Sequence, residues 1–481
     1  LLSKGVYVTP GRIKLMVSYM VAYIKELQKT VATEQLFSRL GWRDDYSKFV
    51  LGGQIFNSDG TVSDHQVSPE ISSEVPGLGA NGTLDGWKQA IQFYNAPGYE
   101  AHRTMLYSGF GSLLLHMTGH KGVVIAATGE PGAGKTTAMM ASNSIFSHPE
   151  ELIVSGNQSG ATENALYSLV AARNHLPVAL DEVTRMDLKV LGRFCLAIPQ
   201  GKGKRVNTRA GVLSQHVPTW GNITQMSANT DMYASLAQSR SDASAEAVRL
   251  FQLAFVVPDT HTKTQADQFL RDMKANYGVA GPEFIKYVIT HYDKIKARVE
   301  AVMALVDTKA NISSGERFWA GLIAAEFVGA MCARHLGLLE GFPIEQDFDW
   351  NIAQLKTSRA SMADNIATPV DILAEFLEAK VGETLVVSQT IKSNMSARVD
   401  QAPRGALCIR HEADTHRLYL IRTEFKRYCQ EIGANYRTIQ NELETSGVLI
   451  NRCKPKVLGA GTDYGKAQVR CWEIDLDKLQ G

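Results

Sequence analysis

Residues Gly129-Glu130-Pro131-Gly132-Ala133-Gly134-Lys135-Thr136 spell G-x-x-x-x-G-K-T, directly after the apolar run Val123-Val124-Ile125-Ala126-Ala127. Glycines at these places let consecutive backbone N–H groups turn inward on one point, the geometry that cradles phosphate oxygens. In such a loop the lysine reaches the β and γ phosphates and the threonine hydroxyl ligates Mg²⁺. The run Thr137-Ala138-Met139-Met140-Ala141 then predicts a helix whose positive end faces the anion. Strand, loop and helix in this order restrict the surrounding chain to an α/β fold, a parallel sheet with crossover connections. The expected ligands are ATP and Mg²⁺, with Gly129 to Thr137 holding the nucleotide and Thr136 the metal.

A phosphate loop needs a second element for the metal and the attacking water. Pro177-Val178-Ala179-Leu180-Asp181-Glu182 is an apolar strand ending in two carboxylates, 46 positions after Lys135. Asp181 is the expected Mg²⁺ ligand and Glu182 the expected general base; the bland alternative is a solvated acidic turn. The next strand, Asn222 to Met226, runs on to Ser227-Ala228-Asn229, and Asn229 is placed as a sensor that hydrogen-bonds the water, or else as a simple turn residue. A guanidinium would neutralise charge on the γ-phosphoryl oxygens. Arg249, opening the strand-like Leu250 to Val257, is the first candidate, Arg240 a second, and Arg317 is expected to touch the phosphates from the same subunit. Each of the three arginines could equally be a surface ion-pair partner.

A chain of 481 residues with 44% apolar content has room for about three domains. The patterning suggests an N-terminal α+β domain (1–82), a P-loop ATPase core (83–260), a helical lid (261–367) and a C-terminal winged-helix-like domain (368–481). The polar stretch 57–82 reads as a long exposed connection. Fifty Lys plus Arg against forty-nine Asp plus Glu leave no globally basic body, so any nucleic-acid surface is a local patch. The six cysteines show no zinc spacing and read as reduced thiols of a cytoplasmic protein, in the host cytoplasm if phage-encoded. The most apolar helix-length stretch carries Glu326 and Arg334, which argues against a membrane span. The start Leu1-Leu2-Ser3, without Met, suggests a processed product or an excised fragment.

Two segments suit nucleic acid. Gly201-Lys202-Gly203-Lys204-Arg205-Val206-Asn207-Thr208-Arg209 packs four cations between glycines, just before the sensor strand. Lys202, Lys204, Arg205 and Arg209 on a projecting hairpin could follow phosphates along a DNA strand; a solvated loop, or one donating to a neighbour's nucleotide, are the competing readings. Farther on, Arg422–Ile432 and Tyr436–Ser446 read as two helices, followed by a hairpin of 448–450 with 469–474. With Arg452, Lys454, Lys456, Lys466 and Arg470 near the tip, this resembles a winged helix.

Several of these motifs together resemble the domain-of-unknown-function 927 family of phages and mobile elements. They are Gly41-Trp42 with Phe49-Val50-Leu51, Gly82-Thr83-Leu84-Asp85-Gly86-Trp87, Gly134-Lys135-Thr136-Thr137, Leu180-Asp181-Glu182, Gly201 to Arg205, and Trp220. The likeness spans roughly Gly41 to Val257. It departs from the family at Glu130-Pro131 and Asn229, which lie closer to ordinary AAA+ and superfamily 3 helicases. The resemblance implies an ATP-driven replicative helicase on single-stranded or forked DNA, in chains that often carry a primase. A homo-oligomeric ring, taken as a hexamer, follows if the arginine is supplied in trans. An initiator or loader without processive unwinding and a protein-remodelling ATPase remain the alternatives.

Overall fold

The computed structural model describes residues 9–30, 36–43, 45–66, 68, 71, 76–156, 163–203, 217–239, 247–365, 367–388 and 397–480. Four short antiparallel strands come first, β1 (Gly41–Arg43), β2 (Lys48–Leu51), β3 (Gln54–Asn57) and β4 (Val62–Asp64), paired in that order. Trp42, Phe49 and Phe56 are buried from these strands. The stretch expected as an exposed connection also buries Ile71 and Leu78, because both side chains join the same apolar core.

Five strands then build a wholly parallel sheet: β5 (Gly122–Thr128), β6 (Ile153–Ser155), β7 (Val178–Asp181), β8 (Asn222–Ala228) and β9 (Leu250–Ala254). Their order is β6-β7-β8-β5-β9. Every residue of β5 and β8 is buried, as strands covered on both faces require, although β8 carries the polar residues Asn222, Thr224, Gln225 and Ser227. This is the α/β architecture that the phosphate-loop motif implied.

Five helices, Lys263–Ala275, Ala280–Thr290, Tyr292–Ala310, Arg317–His335 and Ile344–Asn365, fill the region read as helical. They pack back on the sheet through the Glu100–Ser112 helix, which precedes β5. Arg103 donates Nε and Nη2 to the two oxygens of Asp347, at 2.7 and 2.6 Å, and Tyr107 donates its hydroxyl to the same carboxylate at 2.7 Å. Arg103 is 2% exposed and Asp347 not at all, so this bidentate pair is fully desolvated and breaking it would leave a buried charge. The indole N–H of Trp319 reaches the carbonyl of Leu250 at 3.0 Å, fixing the Arg317–His335 helix to the start of β9.

The C-terminal part is a six-stranded sheet made of β10 (Thr384–Ser388), β11 (Arg398–Gln401), β12 (Ile409–Glu412), β13 (Arg417–Ile421), β14 (Leu449–Val457) and β15 (Gln468–Asp475), in the order β11-β10-β12-β13-β15-β14. The two expected helices are present as Arg422–Glu431 and Tyr436–Thr445, joined through Gly433 at φ 73°, with Asn435 capping the second. The expected hairpin is β14 with β15, built into a larger sheet. Its cations are largely neutralised within the sheet and its neighbouring helix. Lys454 pairs with Glu473 at 2.7 Å, Lys456 with Glu412 at 2.8 Å, and Arg452 with Glu444. All six cysteines are free thiols. No helix among the described residues is long and apolar enough to cross a membrane.

The Glu100–Ser112 and Arg317–His335 helices touch backbone to backbone. A Cβ on Gly111 would lie 2.8 Å from the Glu326 backbone, and one on Gly329 would lie 2.9 Å from the Gly111 nitrogen. Gly111→Ala or Gly329→Ala must push the helices apart, and each is expected to cost about 1–3 kcal/mol. Thermal unfolding of the two variants checks this; an unchanged melting temperature would mean the contact is looser than described.

Candidate functional site

Strand β5 delivers its last residue, Thr128, to a loop that leads directly into the Lys135–Asn143 helix. Gly129, Gly132 and Gly134 have φ of 143°, 86° and 81°, a region only glycine enters freely. A Cβ on Gly129 would sit 2.3 Å from the Phe255 carbonyl, so the loop leaves the sheet hard against the residue after β9. Around Gly132 there is open space. Lys135, 7% exposed, folds over the loop and donates Nζ to the carbonyls of Gly129 at 2.6 Å and Glu130 at 2.9 Å. Burial lowers its pKa, with Asp181 and Glu130 pulling the other way. Glu130 and Pro131 are exposed on the loop's outer side.

The Thr136 hydroxyl donates to Asp181, 3.0 Å from Oδ1 and 3.2 Å from Oδ2. The loop threonine and the carboxylate at the end of β7 therefore meet, although β8 lies between their strands. Ser227, which pairs across β8 with Ala127 of β5, makes this possible. Its hydroxyl donates to Asp181 Oδ1 and accepts the Glu182 backbone N–H at 2.9 Å. Glu182 takes a left-handed backbone, φ 54° and ψ 45°, that turns the chain off the strand. Its carboxylate pairs with Arg185 Nη1 at 3.0 Å, both partly exposed. Asn229 is exposed in the turn after β8, level with Gly129 because Ala228 pairs with Thr128.

The residues fit a nucleotide. A cavity of about 360 Å³ opens beside Gly132, Ala133, Gly134 and Thr137, walled by Tyr99, His261 and other residues, a volume in the range of small-molecule pockets. Phe93 stacks on His261 at 4.2 Å and His261 Nδ1 lies 3.2 Å from the Tyr99 hydroxyl, so the wall is aromatic and internally held. His102 donates Nε2–H to the Ala133 carbonyl at 2.8 Å and so fastens the loop from the helix before β5. Thr136 and Asp181 are the pair that would hold Mg²⁺; among the described residues no cluster of three or more His, Cys, Asp or Glu side chains forms a metal site on its own.

Other expected residues sit elsewhere. Arg249 precedes β9, at the end of the sheet remote from the loop, where its carbonyl accepts the Val124 N–H at 3.4 Å. Arg317 is beside it: both guanidiniums lie over the Phe318 ring, at 5.6 and 5.2 Å. Phe318 packs on His120, just before β5, at 5.0 Å. The length of β5, roughly 20 Å at the usual rise, separates both arginines from their own phosphate loop. Arg317 is therefore not a same-chain phosphate contact, which corrects the sequence expectation.

The basic segment begins as an antiparallel hairpin base. Lys202 bridges Thr219, Gly203 N–H donates to Pro218 at 2.8 Å, and Trp220 N–H donates to Gly201 at 3.1 Å. Lys202 is exposed there. Lys204, Arg205, Arg209 and Arg240 lie outside the described residues. Sequence reasoning missed Ser227 and His102. The first carries a faint signal, a hydroxyl inside a buried strand; the second carries none, since it acts 31 residues away from its partner.

The site defines a P-loop-type α/β protein, and comparison with known proteins agrees. The family described as Domain of unknown function (DUF927) matches residues 1–217, earlier at both ends than the motif-based span. The resemblance to that family, read from the motifs, stands over this N-terminal part of the chain. Along its whole length the chain is similar to a solved structure described as "SCCmec type IV Cch - active helicase". The TM-score is 0.65 at 17% identity, with 100% of this chain and 87% of that chain covered. At that identity the likeness is one of fold. No curated protein matches the sequence.

Burial lowers the His102 pKa to about 4 and the His116 pKa to about 3. Both stay neutral in the fold while an unfolded chain protonates them near 6.5. The unfolded state thus binds more protons below that pH, and stability is lost as pH falls from about 6.5 toward 4. Each histidine adds at most about 1.4 kcal/mol per pH unit. Melting temperatures measured from pH 7 to pH 5 should fall, and His102→Gln should shallow the slope.

Proposed function

We propose that the chain is an ATP-driven helicase or translocase of a phage or mobile element, acting on single-stranded or forked DNA. The observation that carries this reading is the meeting of Thr136 with Asp181 across an inserted strand, 3.0 Å apart. A loop threonine and a strand-end carboxylate brought together at one point are the pair that would hold Mg²⁺, which would supply positive charge beside the nucleotide phosphates. The fold-level likeness to a protein described as an active helicase supports the choice of DNA as the track.

In this reading Lys135 leaves its loop carbonyls for the phosphates, where its charge is best used. Glu182, released from Arg185, takes the proton of the attacking water as general base, and Asn229 at the tip of β8 orients that water. Mg²⁺ held by Thr136 and Asp181 would offset charge on the β and γ oxygens. Arg249, remote from its own loop, serves the γ-phosphate of a neighbouring copy, so ATP is hydrolysed between subunits of a ring, taken as a hexamer. The basic segment that starts at Lys202 grips the DNA strand.

The test is ATP hydrolysis by the purified chain with and without single-stranded DNA, followed by forked-duplex unwinding. Hydrolysis should rise with DNA, and Lys135→Ala should lower it at least about a hundredfold. Stimulation without strand displacement would move the reading to a loader, and a monomer indifferent to oligonucleotides would end it.

Arg249→Ala should cut hydrolysis by roughly 10³-fold while ATP still binds. Mixed with Lys135→Ala, which carries an intact Arg249, it should regain activity, because some boundaries then pair a good loop with a good arginine. A mixture as inactive as either parent would sink the trans assignment.

A further inference from the structure

At the sheet end remote from the phosphate loop, a second cavity of about 570 Å³ opens between the N-terminal strands and the hairpin base. Arg39, Arg43, Lys121 and Lys202 line it, against Asp45 as the one carboxylate among the described lining residues. The contrast with β14 and β15 is plain. There Lys454 and Lys456 are matched to glutamates, whereas no ion pair among the described residues engages Arg39, Lys121 or Lys202. Burial lowers the pKa of Arg39, as expected for a charge held with no counter-charge. Arg39 donates instead to the carbonyl and hydroxyl of Thr219, which ties the cavity wall to the hairpin base.

The remaining wall is aromatic and polar. Tyr46 is 41% exposed and lies flat on His116, ring centroids 4.3 Å apart, with Tyr292 behind at 5.6 Å. His175 accepts the Trp42 N–H at Nδ1, 3.3 Å away, so its own proton is on Nε2. Asn174, 4% exposed, leaves Oδ1 without a hydrogen-bond partner. Asp45, Tyr46 and His175 all hold left-handed backbone, at φ 53°, 67° and 62°. Such conformations cost energy in non-glycine residues and persist where the surroundings demand them.

Unpaired cations answer phosphates, a backed and partly exposed ring answers a base face, and an orphan buried acceptor answers a base N–H. A cavity of this size admits one unstacked nucleotide, while a duplex keeps its base faces inside the stack. We propose that this cavity is a single-stranded DNA site, in which a backbone phosphate lies among Arg39, Lys121 and Lys202 and a base stacks on Tyr46. It rests on the helicase reading, and gives that reading a second grip on the strand beside the hairpin.

The experiment is fluorescence anisotropy of a labelled single-stranded oligothymidylate against the full chain across a salt series. Tyr46→Ala should weaken binding roughly tenfold and Tyr46→Phe should leave it near wild type, since stacking needs only the ring. Lys121→Ala should flatten the plot of log affinity against log salt by about 0.7. Full affinity in Tyr46→Ala with an unchanged slope in Lys121→Ala overturns the site while the helicase reading stands. Equal losses in Tyr46→Ala and Tyr46→Phe overturn the stacking role. No binding by the wild-type chain, or binding to RNA alone, overturns both.

Discussion

The position of β8 between β5 and β7 is the constraint on which the rest of the site depends. It sets the acidic strand one place away from the phosphate-loop strand, so neither Asp181 nor Glu182 could be held by direct pairing with β5. Register then decides what bridges the gap. Leu180 pairs with Met226 and Ala127 with Ser227, which brings one hydroxyl level with Asp181 and the end of β5. Ser227 uses that place twice, donating to Asp181 and accepting from the Glu182 backbone. A residue without a hydroxyl there would leave a strand-end carboxylate without the donor that aims it, in a setting where unpaired polar groups are costly.

The same strand also joins the two ends of the sheet that the proposed function uses. Its C-terminal tip, Asn229, stands level with the phosphate loop, and its N-terminal end follows Trp220 and the hairpin base. Trp220 is anchored by its indole N–H to the Ile198 carbonyl at 2.8 Å. Midway, Gln225 donates to Ser142 at 2.6 Å on the phosphate-loop helix and to Ser108 at 2.7 Å on the preceding helix. Fully buried and held at Trp220 and Gln225, β8 is a rigid element shared by both ends of the sheet. The hairpin base at Lys202 and the Tyr46 cavity both lie at the end away from the nucleotide loop.

What could be read from the sequence was local. The strand, the glycines, Lys135 and Thr136 occupy neighbouring positions, and periodicity marked the helical stretch from Lys263 to Leu355. The two C-terminal helices and their hairpin were legible for the same reason. What was not legible depends on contacts distant along the chain. The Arg103–Asp347 pair spans 244 positions, the Trp42–His175 contact 133, and nothing in either segment announces its partner. The burial of Leu78 and Ile71 was hidden by the polar residues around them. Strands β10 to β13 are short, and the composition of 384–421 does not show that β14 and β15 will be absorbed into their sheet. Arg317 was misplaced because helix periodicity fixes a face, not which end of the sheet that face meets.

The arginines give the last step. A dissociating γ-phosphoryl group needs more positive charge than one lysine and one metal supply. Of the described cations singled out from the sequence, only Lys135 stands at its own phosphate loop. Arg249 and Arg317 are gathered instead on one ring, Phe318, at the opposite end of β5. A guanidinium over an aromatic face is held there by the ring's quadrupole. In the proposed reading, two guanidiniums gathered on one ring and remote from their own phosphate loop serve a nucleotide that another copy brings to them. If Arg249 serves a neighbouring copy as proposed, its separation from Gly129 would make assembly a condition of hydrolysis, since an arginine within reach of its own loop would let a single chain turn over unassembled and away from DNA.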